Sequence, residues 1–357
     1  LKPSGANAGT EEAMKGPFTV TPMQRAFLED ETKGADGFLE IMYFRTPKGL
    51  DAAALEAAVS ALNDHHDAFS LRFEKRDGAW TCRNEAPPAG SGFRRIEVRS
   101  GEGLDVSALR DGTVAELKSS ISITDGPLVS ARLLDRGPGE LLIVAFHHLV
   151  VDALSLSIWA TQLQETYARA QANLVLFQKP SKALFGPWLA ALERHGESEG
   201  VSDELDYWKQ VCGPATDAIA DLSGRTGGEH RMLPAGRPSA VQNRILLERF
   251  PAPIERQALF LAALSRAVMD FRDTSSPLIL VENNGRHRFV GTDPQRAVGW
   301  FVSQFPVRIT THPENGPLAD YEAARQSLLT VPNAGVGYGL LHSRPKSDPA
   351  RIEMEGL

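Results

Sequence analysis

The run Glu140-Leu141-Leu142-Ile143-Val144-Ala145-Phe146 passes directly into His147-His148-Leu149-Val150-Val151-Asp152 and then into a stretch with helical spacing. A segment this apolar does not sit in a surface loop, and it predicts a buried strand. Leu154 to Ala170 predicts a long amphipathic helix. A buried strand feeding such a helix requires a sheet covered by helices, so the fold class is α/β or α+β. The two histidines close the strand, and an aspartate follows. Imidazole titrates near neutral pH, and a carboxylate nearby can fix its tautomer or hold its loop, so the segment is a scaffold for proton transfer. Taken alone, the pair reads equally well as imidazoles that satisfy backbone groups at a strand end.

The flanking sequence extends the pattern. Thr21-Pro22 marks a helix start, with threonine as N-cap and proline at the first helical position. Residues 50–66 carry Leu50, Ala54, Leu55, Val59 and Leu62 at helical spacing. Ala68 to Phe73 and Ala79 to Arg83 read as strands joined at Asp77-Gly78, a hairpin signal. Val114 to Ile121 is helical in pattern, Asp125-Gly126-Pro127 is a turn, and Leu128 to Leu134 is a strand. A loop over Gln178 to Gly186 leads to helices at Trp188 to His195 and Glu204 to Val211. Gly213 to Pro238 is glycine-rich and polar, an interlobe connection. Beyond it lie strands at Ala240 to Leu247, Leu278 to Glu282 and Trp300 to Ile309, and helices at Glu255 to Phe271 and Leu318 to Leu329. The expected organisation is a linker over 1–16, one lobe over 17–175 and a second over 176–357.

Several function classes are excluded by composition. Thirty-eight basic against 45 acidic residues leave a net charge of −7, which disfavours nonspecific nucleic-acid binding. No apolar run approaches the roughly 18–20 residues of a membrane span, and Leu1 to Gly16 is too polar for a secretory signal. Cys82 and Cys212 form neither a disulfide framework nor a zinc motif, and neither has a histidine close in sequence. That usage fits a reducing cytoplasm. No group of histidines, cysteines and carboxylates has metal-ligand spacing.

Set together, six segments resemble one family. Thr21-Pro22-Met23-Gln24, His65-His66-Asp67-Ala68-Phe69-Ser70-Leu71-Arg72-Phe73 and His147-His148 are similar to the first three signatures of the condensation-domain superfamily of nonribosomal peptide synthetases. Asp206-Tyr207-Trp208-Lys209, Val298-Gly299-Trp300-Phe301 and Pro332 to Gly339 resemble later ones, in the same order. The resemblance covers residues 18–341. Within the superfamily it leans toward epimerization domains, because Glu282 stands before the Gly285-Arg286 pair where peptide-bond-forming domains carry an uncharged, proline-containing strand end. The chain departs from the family pattern at Ala153, Leu156, Asn283, Asn284, His287 and Phe305.

This resemblance implies two chloramphenicol-acetyltransferase-like lobes in a V-shaped pseudo-dimer with a central tunnel. It implies epimerization at the Cα of an aminoacyl or peptidyl thioester held on the phosphopantetheine arm of a peptidyl carrier protein, supplied in cis or in trans, with no cofactor or metal bound by the domain itself. The residues 5–10 would then belong to a tether. Inverting the centre needs a base on one face and an acid on the other; His148 and Glu282 are the candidates, with His147 and Asp152 completing the motif. A carboxylate screened by apolar walls would have its pKa raised toward that of histidine. For Glu282, an ion pair with Arg286 or Arg288 is the competing reading. Asp152 reads as a holder of the histidine loop paired with Arg286, and His147 as an orienting neighbour. Asn283, Asn284, Ser155 and Tyr338 are candidate substrate contacts. Loop satisfaction competes for the asparagines, helix capping for the serine, and a plain glycine-permissive turn for the tyrosine. His65 and His66 read as surface or interlobe residues, and Trp208 and Trp300 as core. Three other functions stay open: a condensation domain, a non-catalytic carrier-docking module, and an acyltransferase using coenzyme A.

Overall fold

The computed structural model describes residues 17–30, 34–85, 92–97, 106–135, 141–177, 184–213, 238–272, 276–287, 289, 292–310, 312, 314 and 316–355. These form a mixed α/β fold in two compact units. The first takes the chain up to Ser198 together with Asn284–Val302, and the second takes Glu199–Asn283 with Ser303–Leu357. The sequence boundary at 175/176 does not anticipate the returning segment Asn284–Val302, which joins the first unit from the second half of the chain. The expected linker over 1–16, most of the loop over 178–186 and nearly all of the connection over 213–238 lie outside the described residues.

The first unit contains β1 (Phe18–Thr19), α1 (Pro22–Leu28), β2 (Leu39–Arg45), α2 (Ala52–His65), β3 (Leu71–Arg76), β4 (Ala79–Asn84), β5 (Phe93–Glu97), α3 (Val106–Ser119), β6 (Val129–Asp135), β7 (Leu141–His147), α4 (Ala153–Gln171) and α5 (Phe185–Gly196). Its larger sheet has the order β2-β7-β6-β5. The apolar strand β7 is interior, antiparallel to both neighbours, which is why every residue from Leu142 to His147 is buried. Leu117 and Ile121 pack on one face of this sheet against Leu134, Ile143 and Ala145. A smaller sheet, β1-β4-β3, is closed by the Asp77-Gly78 turn, where both residues take positive φ (49° and 83°). The short strands β1 and β5 and the strand β2 are not legible in the sequence pattern, and the strand expected from Ala68 begins only at Leu71, after a 3-10 turn over Asp67–Ser70.

Helices α2 and α4 pack together, and His66 lies in that contact. It is 1% exposed, its Nε2 is 2.6 Å from Gln162 Oε1, and burial drives its pKa down to about 3. The surface reading of His66 is therefore corrected: a neutral imidazole with one hydrogen-bonded amide fits inside the fold. Its neighbour His65 stacks on Phe177, with ring centroids 3.9 Å apart. Asp67 accepts from Phe185 N and Gly186 N, both at 2.7 Å, and so fixes the start of α5.

The second unit contains α6 (Glu199–Ser202), α7 (Leu205–Cys212), α8 (Ala240–Arg249), α9 (Pro253–Arg272), β8 (Leu278–Asn283), β9 (Ser303–Arg308), α10 (Pro317–Leu329), α11 (Val336–His342) and α12 (Pro349–Glu355). β8 and β9 pair antiparallel, and α9 packs on α10 with Arg266 bound to the buried Asp320 at 2.6 Å. The strand expected at Ala240–Leu247 is the helix α8, opened by a Ser239/Gln242 capping box. Val241, Ile245 and Leu247 fit either period, and the cap with helix-forming neighbours decides. The strand expected from Trp300 starts at Ser303. Among the described residues no helix is long and apolar enough to cross a membrane.

Candidate active site

The pleat of β7 separates its two histidines. His147 is fully buried. Its Nε2–H donates to Ala35 O at 2.7 Å, and Nδ1 accepts from Leu149 N at 3.2 Å. Burial lowers its pKa to about 4, so it is neutral at pH 7 with both nitrogens committed. That geometry gives His147 a positioning role, because neither nitrogen is left to meet a substrate.

His148 turns the other way. Its backbone N donates to Phe38 O at 2.8 Å, continuing the β2–β7 pairing one step past the ladder. The imidazole stacks on Phe38 (centroids 4.3 Å apart, 8° between planes). It meets Trp300 edge-on at 4.9 Å, and Phe27 stacks behind Phe38 at 4.4 Å. Three aromatic rings thus fix the plane of the imidazole, and the side chain keeps 22% exposure. Nδ1 is buried with no hydrogen-bond partner among the described residues, while Nε2 is 3.5 Å from Glu40 Oε1 on β2. An imidazole with a fixed plane and one accessible edge is suited to move a proton.

The loop that presents His148 is held from two sides. Gln24 is buried; its Oε1 accepts from Thr21 N at 2.8 Å within the capping box of α1, and its Nε2 donates to Leu149 O at 2.7 Å. From the other side, Asp152 is the N-cap of α4 and accepts from Ser155 N at 2.7 Å. Its Oδ1 also receives Arg286 Nη2 at 3.0 Å, and its Oδ2 receives Phe301 N at 3.1 Å. The Arg286 side chain is completely buried. It donates further to Ser155 Oγ (2.8 Å) and Ala297 O (2.7 Å), and also to Pro294 O. Its guanidinium lies 4.1 Å over the Phe301 ring. The segment that carries Trp300 is in this way fastened to the histidine loop within the first unit.

Ser155, a candidate substrate contact, is buried in this network. Its hydroxyl donates to Gly299 O (2.7 Å) and accepts from Gly299 N (3.1 Å) and Arg286. One donor and two acceptor sites are all used, so the residue is structural. Gly299 is required here, since a Cβ would overlap the Phe185 ring. His287, a departure from the family pattern, sits near His195 and Phe289 and lends its carbonyl to Trp188 Nε1 at 2.9 Å.

The remaining candidates fall elsewhere. Glu282, at the end of β8 in the second unit, is exposed and accepts from Gln304 Nε2 at 2.7 Å across the β8–β9 pair. It is neither walled by apolar groups, as expected for a raised pKa, nor paired with Arg286, which is committed to Asp152; Arg288 lies outside the described residues. Asn283 Nδ2 reaches Ala334 O at 3.4 Å. Asn284 Oδ1 accepts from Arg286 N at 3.1 Å, closing a side-chain turn. Tyr338 is on the helix α11, not on a glycine-permissive bend. It packs against Trp208 (5.1 Å) and His342 (4.7 Å), and burial holds its phenol protonated, its pKa pushed up to about 12. The glycines beside it serve packing: a Cβ at Gly335 would overlap Phe305, and one at Gly337 the Glu204 carboxylate. Glu204 is itself buried, held by Asn333 Nδ2 (2.7 Å) and Trp208 Nε1 (3.0 Å). Cys82 and Cys212 are buried free thiols whose pKa values burial raises, which disfavours the reactive thiolate at both. Among the described residues no histidine, cysteine and carboxylate group could hold a metal.

Sequence reasoning misses Glu40 and Gln24 as parts of this site. Gln24 has a signal in Thr21-Pro22-Met23-Gln24, whose capping-box spacing announces the helix start but not the hydrogen bond to Leu149. Glu40 has none, because β2 itself is not recognisable in the pattern.

Comparison with known proteins agrees with this architecture. The sequence matches the condensation domain family over residues 14–351. One of the linear gramicidin synthase proteins of Brevibacillus parabrevis is 30% identical over 350 residues, which is 95% of this chain and 4% of that protein. Tyrocidine synthase 1 of the same organism is 24% identical over 335 residues, 91% of this chain and 30% of that protein. The chain therefore spans a small part of the curated relatives it matches. Among solved structures, the epimerization domain from the third module of tyrocidine synthetase B has a TM-score of 0.75 at 22% identity, covering 94% of this chain and 77% of that one. The first condensation domain of the calcium-dependent antibiotic synthetase has a TM-score of 0.67 at 17% identity, with 90% and 76% covered. At these identities the structural likeness shows the fold, and the family match adds the membership: the chain belongs to the condensation-domain superfamily of nonribosomal peptide synthetases.

Proposed function

We propose that this domain inverts the Cα of an aminoacyl or peptidyl thioester delivered on the phosphopantetheine arm of a peptidyl carrier protein, with His148 and Glu282 as the two proton-transfer groups. The observation that carries the reading is the presentation of His148: an imidazole fixed by Phe38 and Trp300 with its Nε2 edge open. A thioester acidifies the adjacent Cα–H because its carbonyl takes up charge as an enolate, so a base of modest strength suffices when the geometry is fixed. The opposite face needs a second group. Glu282 is an exposed carboxylate on a strand end, and only Asn283, Asn284 and Gly285 separate it from Arg286, the residue bound to Asp152.

The test is incubation with a loaded carrier in heavy water, followed by chiral analysis of the released acid. Wild-type protein incorporates solvent deuterium at Cα, while His148→Ala and Glu282→Gln each lose at least about a hundredfold in exchange, the usual contribution of a positioned acid or base. Undiminished exchange in both variants overturns the assignment. Coupling of two loaded carriers without exchange would establish the alternative, a condensation domain in which His148 assists attack of an acceptor amine or hydroxyl.

A further inference from the structure

Glu40 brings a charged side chain to the reactive edge of His148. It stands on β2 opposite Phe146 of β7, with its Oε1 3.5 Å from His148 Nε2 and its side chain 44% exposed. Among the described residues no arginine or lysine is paired with it; the ion-pair contact within reach is His148 itself. Phe38 and Trp300 flank the same imidazole with their rings. Among the described residues this carboxylate caps no helix, and the contact its side chain makes is the one to His148.

From this we infer that Glu40 binds the free α-ammonium of the substrate, and that the site takes an aminoacyl thioester in preference to an N-acylated, peptidyl one. The inference rests on the proposed chemistry at Cα. Proton transfer brings Cα within about 3–3.5 Å of Nε2, and the α-nitrogen is one bond of about 1.46 Å from Cα. A carboxylate oxygen 3.5 Å from Nε2 can then come within hydrogen-bond reach of that nitrogen when Cα and the carboxylate approach Nε2 from the same side. An ammonium gains a charge-assisted hydrogen bond there, whereas a neutral amide nitrogen gains little. Stripping water from this half-exposed carboxylate to seat the amide would also cost affinity.

The experiment compares two pantetheine-linked aminoacyl amides, one with a free amine and one N-acetylated, titrated at pH 7 into the wild-type domain and into Glu40→Gln. The expected result is about tenfold tighter binding of the free amine to wild type and a ratio near one in Glu40→Gln, with thermal melts confirming that both proteins are folded. A ratio that Glu40→Gln leaves unaltered, or a wild-type preference for the acetylated compound, overturns the inference. Deuterium exchange with aminoacyl and N-acylaminoacyl carriers is run in parallel. Its absence with both substrates sinks the epimerization chemistry, while the binding ratio still decides whether Glu40 reads the ammonium.

Discussion

The buried pair of Asp152 and Arg286 yields the sharpest quantitative test, because among the described residues its partners are defined: Ser155 and Phe301 for the carboxylate, Ser155, Pro294 and Ala297 for the guanidinium. In Asp152→Asn the single carbonyl oxygen can serve either the Oδ1 side, with Ser155 N and Arg286, or the Oδ2 side, with Phe301 N. Whichever way the amide turns, its NH2 faces a donor. At least one buried N–H is orphaned, at about 1–3 kcal/mol, and the guanidinium loses its counter-charge. The total expected is about 3–5 kcal/mol, the range for removing one partner of a buried ion pair. Arg286→Met removes the charge and orphans the carbonyls of Pro294 and Ala297, again for about 3–5 kcal/mol. Here the Asp152 carboxylate keeps its two backbone donors.

The double variant removes the charge from both ends, so its cost falls short of the sum by about 2 kcal/mol, within the range known for residues sharing one network. Urea denaturation of the four proteins, followed by tryptophan fluorescence, measures the cycle; Trp300 sits beside this network and reports on it. Additivity within about 0.5 kcal/mol would refute the view that the two residues act as one staple. The same variants separate positioning from chemistry: a staple that only holds the loop alters exchange in step with the loop's order. Asp152→Asn should therefore recover part of its activity when a bound pantetheine analogue stabilises the fold.

Two further outcomes are expected. Gly337→Ala gains helix propensity but drives a Cβ into the Glu204 carboxylate, which Asn333 and Trp208 hold in place; a net loss of about 1–3 kcal/mol is expected in urea melts, and a stabilised variant would contradict the packing described. His66 is neutral in the fold, with a pKa of about 3 against 6.5 when unfolded, so its contribution is complete above pH 6.5 and is lost as pH falls below it. The stability gap between wild type and His66→Gln should shrink by about 1.4 kcal/mol per pH unit below 6.5, and a constant gap between pH 7 and 5 would refute the assignment.

What is legible in the sequence, and what is not, follows from the range of the interactions involved. The strand ending at His147, the helix after Asp152 and the hairpin at Asp77-Gly78 are set by local patterns: an apolar run, a cap and a turn that needs positive φ. The six ordered segments are legible for a related reason, because each pins a contact the fold cannot do without. Gln24 ties α1 to Leu149, Asp67 starts α5, and Gly299 lets the chain pass Phe185. Strand β2 is hidden since Leu39-Glu40-Ile41-Met42-Tyr43-Phe44-Arg45 alternates only weakly, and what makes it a strand is its pairing with β7, some hundred residues away. Glu40 is lost along with it. The helix α8 misleads for the opposite reason. None of its residues is buried in a way that would choose between periods, so the choice falls to the Ser239/Gln242 cap and the helix-forming neighbours rather than to the apolar spacing. Of the groups around His148, Gln24 and Trp300 lie within the recognisable motifs, whereas Phe38 and Glu40 do not, because both sit at or beside a strand that its own pattern does not announce.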